Sequence, residues 1–216
     1  MSRYFLKARE PISSYTHFWG AVGGVAATLI LVCKTLMQQK CGLVVAGVML
    51  FGLSMVALYS ASSIYHYALC AAERLRRLRK LDHAMIYVLI AGSYTPFCVA
   101  YMQPGKRELF LGCLWLAAVV GILFKVVWLD APRWIGTVIY LAMGWSMLID
   151  MPAFAAIPPA CLALLAAGGI SYSVGAVIYI AKKPNISERW GFHELFHLFI
   201  LAGSAFHFLA VFFFVA

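Results

Sequence analysis

The sequence FHELFHLFILAGSAFHFLAVFFFV, residues 192–215, is an apolar run with no charged residue after Glu194. A run of this kind predicts a transmembrane helix, because about 20 apolar residues span the hydrocarbon core of a bilayer. Its beginning carries His193 and His197, which are four residues apart and therefore lie on one face of a helix. Two imidazoles at this spacing predict a metal-binding pair rather than two unrelated core histidines.

The same five residues, His193 to His197, match the HExxH pattern of zinc proteases, in which the glutamate is the general base. One large group of these proteases places a third ligand six residues after the second histidine, but that position is Gly203, and no Asp or Glu follows Glu194. His207 lies about 15 Å further along the helix axis, which is too far to share the ion. The sequence therefore disfavours a protease, and a third ligand must come from earlier in the chain.

The composition of the 216 residues, 64% hydrophobic and 12% charged, is too apolar for a soluble domain of this size. Seven apolar runs have about the length that spans a bilayer. We therefore predict an all-α polytopic membrane protein, with a cytoplasmic N-terminal segment over residues 1–15 and a single seven-helix transmembrane domain over residues 16–216. The runs cover residues 17–37, 42–70, 81–102, 109–129, 134–149, 159–180 and 192–215.

The net charge of +9 does not indicate nucleic-acid binding, because the basic residues fall in short segments between the apolar runs. Of the 17 Lys and Arg residues, only Lys34, Lys40, Lys106 and Arg107 lie on one side of the predicted membrane, and all the others lie on the opposite side. Basic residues concentrate on the cytoplasmic side of membrane proteins. We therefore predict a plasma-membrane protein with a cytoplasmic N-terminus and an extracytoplasmic C-terminus.

Further polar groups stand at the ends of the predicted spans. Ser62 lies four residues before His66, so the hydroxyl and the imidazole share a face near the end of the second span. Asp82 and His83 begin the third span and point about 100° apart on a helix, so only one of them can face the other candidate groups. We expect Asp82 to be the one that faces inward. His83 is an alternative third ligand. His17 opens the first span and is a possible ligand. We favour the interpretation that it lies at the level of the lipid headgroups.

The predicted direction of each span brings the candidate groups to one depth. The second span ends on the cytoplasmic side, and the third and seventh spans begin there. His66, Asp82 and the pair His193 and His197 therefore lie within about two helical turns of the same membrane face. The charge count gives this topology without reference to these residues. Three neutral imidazoles with an open fourth position are an arrangement found in catalytic zinc sites.

On these motifs the sequence resembles the hemolysin III family, bacterial relatives of the progestin and adiponectin receptors in a superfamily that includes alkaline ceramidases. The resemblance covers nearly the whole chain. In that family the residue after the first histidine of the pair varies, which disfavours Glu194 as a general base. The motifs that carry the resemblance are Ser62-x-x-x-His66, Leu81-Asp82-His83, Gly92-Ser93-Tyr94-Thr95-Pro96 and His193-x-x-x-His197, together with Thr16-His17.

The resemblance implies seven transmembrane helices and a zinc ion near the cytoplasmic face, held by His66, His193 and His197. It also implies that Asp82 lies beside the water that completes the zinc site. Ser62 would be a supporting polar group.

Two functions fit these residues. A zinc-dependent hydrolase would act on an amide or ester of an acyl-chain lipid, with Asp82 as general base and Ser62 assisting the developing oxyanion. A sensor or regulator of membrane lipid state would keep zinc as a structural ion and would bind lipid without turnover. Cytolysis, which the family name suggests, ranks third because the sequence shows no amphipathic pore-lining span, and an intramembrane protease ranks fourth.

The charge asymmetry gives a direct test of topology. A reporter fused after Ala216 is expected to read extracytoplasmic, and one fused after Arg77 is expected to read cytoplasmic. A cytoplasmic reading at Ala216 would contradict the topology from which the common depth of the candidate groups was inferred.

Overall fold

The computed structural model describes residues 5–216, and over that range the chain forms helices and no strand. Seven helical segments within it are long and apolar enough to cross a membrane, when α5 is counted together with the 3-10 segment that follows it. The predicted all-α fold with seven transmembrane helices is thereby confirmed. The helices are α1 (Pro11–Met37), α2 (Gly42–Tyr67), α3 (Ala72–Tyr101), α4 (Lys106–Val127), α5 (Arg133–Gly144), α6 (Pro159–Ala181) and α7 (Phe192–Phe214), with 3-10 segments at Phe5–Lys7 and Ser146–Phe154.

The helices pack so that the first and the last of them meet. Helix α2 lies between α1 and α3, helix α7 packs along α6, and α1 also contacts α7. Helix α1 therefore touches both helices that carry the candidate metal ligands. This arrangement brings the C-terminal end of α2 and the N-terminal end of α7 next to the beginning of α1.

Helices α1 and α3 begin six and nine residues before the apolar runs that predict them. Helix α1 begins at Pro11, where proline suits a first turn because its missing N–H would have no helical partner. Helix α3 begins at Ala72, so the basic segment before the third apolar run is helical, with an i,i+4 ion pair between Glu73 and Arg77. Hydropathy marks where a helix enters the hydrocarbon, and polar helix formers extend it beyond that point. Of the predicted N-terminal segment, residues 1–4 lie outside the described part of the chain.

The fifth span also differs from the prediction. Helix α5 ends at Gly144 and continues as a 3-10 segment to Phe154, beyond the predicted end at residue 149. Asp150 has non-helical backbone angles within this segment, and Pro152 follows two residues later. Because proline cannot donate a backbone hydrogen bond, it disfavours a regular α-helix in this segment.

Glycine allows two helices of this protein to pack closely. In a membrane the hydrophobic effect contributes little to helix association, so close packing at small residues is common. At Gly121 of α4, an added Cβ would lie 2.2 Å from Cε1 of Tyr87, a ring of α3 that is fully buried. At Gly112 of the same helix, an added Cβ would meet no heavy atom of residues 5–216 within 4 Å. The two glycines therefore form a matched pair for testing the packing of α4 on α3.

We expect Gly121→Ala to destabilise the protein by about 1–3 kcal/mol, because the new methyl group overpacks a buried ring. Gly112→Ala is the control, since it makes the same change in helix propensity without a clash. The measurement is thermal unfolding of the purified variants in detergent. Equal melting temperatures for the two variants would contradict the packing of α4 against Tyr87.

Candidate metal centre

Three histidines from two helices meet at the predicted cytoplasmic end of the bundle. His66 lies in the last turn of α2, and His193 and His197 lie in the first turns of α7. One ligand nitrogen from each lies within 4.8 Å of the others. The ring centroids are 4.7 Å apart for His193 and His197, 5.0 Å for His66 and His193, and 4.9 Å for His66 and His197. The predicted directions of the second and seventh spans place these residues at one depth, and the structure brings all three together.

The nitrogen atoms of this cluster fit a metal ion. His66 and His197 are 1% and 2% exposed, and His66 Nε2 and His197 Nδ1 have no hydrogen-bond partner within residues 5–216. A buried polar atom without a partner costs about 1–3 kcal/mol, and coordination to a metal would remove that cost. Imidazole nitrogens are common ligands of zinc and of several other transition metals. In the described part of the chain this is the one group of His, Cys, Asp or Glu at ligand spacing.

Asp82 and Ser62 lie beside the three histidines. Asp82, Ser62 and His66 line one cavity. His83, which we expected to face away, lines the same cavity as Asp82. Its Nδ1 donates to the carbonyl oxygen of Arg79 at 2.8 Å and lies 3.4 Å from Asp82 Oδ2. His83 therefore belongs to the surroundings of the carboxylate and not to the three-histidine group.

His17 is buried in the bundle beside the three histidines, whereas the sequence interpretation favoured a histidine at the lipid headgroups over a ligand. The side chain is only 3% exposed, and its ring stacks on His197 with the centroids 3.7 Å apart and the planes 10° from parallel. Neither ring nitrogen has a hydrogen-bond partner in the described chain. Helix α1 begins at Pro11, which places His17 two turns inside the helix and against α7.

Glu194 has a structural role at the start of α7. Its Oε2 accepts the backbone N–H of Gly191 at 3.0 Å, and its Oε1 accepts the hydroxyl of Ser13 at 2.9 Å. The first contact caps free N–H groups at the helix N-terminus, and the second ties α7 to α1. Because both carboxylate oxygens are engaged, the structure agrees with the expectation that Glu194 is not the general base.

Glu10 is a residue of this site that the sequence analysis missed. Its carboxylate is bonded to His66 Nδ1, and its other oxygen lies 3.3 Å from Arg9 Nη2. Burial by itself would raise the pKa of Glu10, but the hydrogen bond with His66 and the positive charge of Arg9 help to lower it below its usual value. The carboxylate is therefore ionised at neutral pH.

A cavity of about 730 Å³ extends from the metal centre into the bundle. Arg79 and Arg133 line it near the three histidines, and the Arg133 guanidinium lies 5.0 Å from the ring centroid of Tyr179. Phe154 and Ile157 line it near the opposite end of the bundle. Most of the other lining side chains are apolar, so the cavity combines a polar end with a long hydrophobic interior.

His207 also lines the cavity but lies outside the three-histidine group, as the sequence predicts. Its ring packs against Gly168, where an added Cβ would lie 2.4 Å from the imidazole Cδ2. It also makes an edge contact with Tyr172 at 5.3 Å between ring centroids. A histidine in this place is a suitable control for metal binding.

Purified protein is expected to carry about one metal ion per chain, and replacement of His66, His193 or His197 by Ala is expected to remove most of it, because two remaining imidazoles make an incomplete site. His207→Ala should retain the metal. Elemental analysis of the four variants is the measurement. Full metal content in His66→Ala would exclude His66 as a ligand and would turn attention to His17 or His83.

Comparison with known proteins agrees with this architecture. A family model described as Haemolysin-III related matches residues 5–208. The chain is 38% identical to the hemolysin-3 homolog of Bacillus subtilis (strain 168), over 76% of this chain and 75% of that protein. It is 33% identical to hemolysin-3 of Bacillus cereus, over 100% of this chain and 96% of that protein. It is 25% identical to the adiponectin receptor protein of Drosophila melanogaster, over 90% of this chain but only 48% of that protein. No solved structure matches the chain. The protein therefore belongs to the hemolysin III family and is a multi-pass protein of the cell membrane.

Proposed function

We propose that this protein is a zinc-dependent hydrolase that cleaves an amide or ester bond of an acyl-chain lipid. One observation carries the proposal: three imidazoles at ligand spacing, with Asp82 and Ser62 beside them, stand at one end of a long apolar cavity. A metal site that served only to hold helices together would not require a carboxylate in an adjoining cavity. We place the site near the cytoplasmic face, as the charge asymmetry indicates.

His66, His193 and His197 would hold the zinc ion through one nitrogen each. Three neutral imidazoles suit zinc in a catalytic site because they leave one coordination position open. When bound in this way, zinc polarises a carbonyl group and lowers the pKa of a water molecule.

Asp82 would accept a proton from the attacking water, a role supported by its place in the lining of the cavity that also contains His66. The water oxygen bonds to the carbonyl carbon, and the bond from that carbon to nitrogen or oxygen breaks. Asp82 then returns the proton to the leaving amine or alcohol. The Ser62 hydroxyl, 2% exposed, can donate a hydrogen bond to the oxygen on which negative charge develops.

The cavity supports a lipid as the substrate. Its volume of about 730 Å³ lies within the range of about 300–1,000 Å³ that ligand pockets occupy. Phe154 and Ile157, each at most 3% exposed, line its far end and give an acyl chain apolar contacts. A chain in the cavity would place a carbonyl group at the polar end, where Asp82 and the histidines lie.

A sensor of membrane lipid state is the second candidate. The similarity to a protein named as an adiponectin receptor favours it, and the same cavity would bind a lipid without cleaving it. Cytolysis is a third candidate, suggested by the name hemolysin-3 of the two Bacillus relatives. The role of Asp82 separates the first candidate from the second, because a structural ion needs no general base.

We expect Asp82→Asn to keep the zinc and to reduce lipid hydrolysis by roughly 10²-fold or more, because the amide cannot accept the proton. The assay incubates zinc-loaded protein in bilayers with a panel of N-acyl and O-acyl lipids and measures the release of free fatty acid. Asp130→Asn is the control, since Asp130 is an exposed carboxylate that pairs with Arg76 and Arg79. Equal release from wild type and Asp82→Asn, or no release from wild type across the panel, would contradict the hydrolase.

A further inference from the structure

Glu10 holds His66 at two points. The backbone N–H of Glu10 donates to the carbonyl oxygen of His66 at 3.0 Å, and the Glu10 carboxylate accepts a hydrogen bond from His66 Nδ1. The last carbonyl groups of a helix have no partner within the helix, so the first bond also caps the end of α2. One residue thus fixes both the backbone and the ring of a candidate metal ligand.

The side-chain contact determines which nitrogen of His66 is free. A carboxylate that accepts from Nδ1 keeps the proton on that atom, and in a neutral imidazole the other nitrogen then carries the lone pair. That other nitrogen, Nε2, is buried and has no hydrogen-bond partner among the residues that the structure describes. The contact with Glu10 therefore selects the tautomer in which Nε2 of His66 can bind a metal.

The Glu10 carboxylate is itself held in place. Arg9 Nη2 forms an ion pair with Glu10 Oε1 at 3.3 Å. The guanidinium of Arg9 lies 4.4 Å from the ring centroid of Tyr65. The backbone N–H of Arg9 donates to the carbonyl oxygen of Tyr67 at 3.4 Å, one residue after the bond made by Glu10. Both residues before α1 are thereby fixed against the end of α2.

The first turn of α1 continues these contacts to both ligand-bearing helices. Ser14 and Ser63 exchange hydroxyl-to-carbonyl hydrogen bonds, at 3.1 Å from Ser14 Oγ to the Ser63 oxygen and 2.9 Å in the reverse direction. Ser13 donates to Glu194 at the start of α7. Residues 9–14 therefore join the end of α2 to the beginning of α7, where the three histidines lie.

We propose that Glu10 is a positioning residue of the metal centre. Its carboxylate sets the tautomer and ring orientation of His66, so that Nε2 points toward His193 and His197. A carboxylate on the second nitrogen of a ligating histidine orients the ring and raises its basicity, and removal of such a group typically weakens metal binding about 10- to 100-fold. The inference rests on metal binding within the proposed function and does not depend on catalytic turnover.

The test compares the zinc dissociation constants of wild type, Glu10→Ala and Glu10→Gln in detergent, measured by competition with a chelator of known affinity. We expect Glu10→Ala to bind zinc about 10- to 100-fold more weakly. Glu10→Gln should lose less, because the amide oxygen still accepts the Nδ1 proton. Glu73→Ala is the matched control. Glu73 also pairs with an arginine, Arg77, but its side chain is more exposed than that of Glu10.

Replacement of zinc by Co²⁺ supplies a readout that a general loss of stability would not change. The visible absorption of Co²⁺ reports its ligands, so Glu10→Ala should alter the spectrum and Glu73→Ala should not. A wild-type dissociation constant and spectrum in Glu10→Ala would overturn the positioning role while leaving the proposed metal site intact. If Glu10→Ala does not purify as folded protein, Glu10→Leu, whose side chain also cannot accept the Nδ1 proton, takes its place in both measurements, and an unchanged zinc affinity and Co²⁺ spectrum in that variant would overturn the positioning role. Absence of zinc binding in wild type would refute the metal site as well.

Discussion

The buried imidazoles of His66 and His197 set the main constraint on this structure. Polar nitrogen atoms cost free energy when they leave water without a hydrogen-bond partner, and within a membrane no bulk water is available to supply one. Two such atoms, one on α2 and one on α7, occur in the same cluster. A shared metal ion would remove both costs and would hold the second and last helices together. The three histidines that would hold the ion line the polar end of the cavity together with Asp82.

The N-terminal residues gain a role from this constraint. Metal ligands need a fixed ring orientation, and the end of a helix is a poor place to fix one because its last carbonyl groups are unpaired. Arg9 and Glu10 supply those missing bonds at the end of α2, and Ser13 connects the same segment to α7. His17, about two turns into α1, stacks on His197. The first helix therefore contacts both helices that carry the three histidines.

The sequence predicted the seven helices and the meeting of His66 with the pair on α7, because hydropathy and charge asymmetry act on every membrane protein in the same way. It did not predict the role of Glu10, which lies in a short polar segment with no periodic pattern. Its partner is 56 residues away, and only the packing of α1 on α2 brings them together. His17 was misjudged for a related reason, since the first apolar run begins six residues after the true start of the helix at Pro11. Proline is favoured at the first position of a helix, so Pro11 is a helix-start signal that would have placed His17 well inside the helix rather than at its beginning.

The central claim is that three imidazoles from α2 and α7 bind one zinc ion. X-ray absorption at the zinc edge of the purified protein tests it most directly, because the spectrum gives the type, number and distance of the ligand atoms. The account predicts about four nitrogen or oxygen neighbours at about 2.0–2.2 Å, with the outer-shell scattering of about three imidazole rings. A shell of sulfur atoms at about 2.3 Å, which would require the cysteines, or a spectrum without imidazole scattering would contradict it.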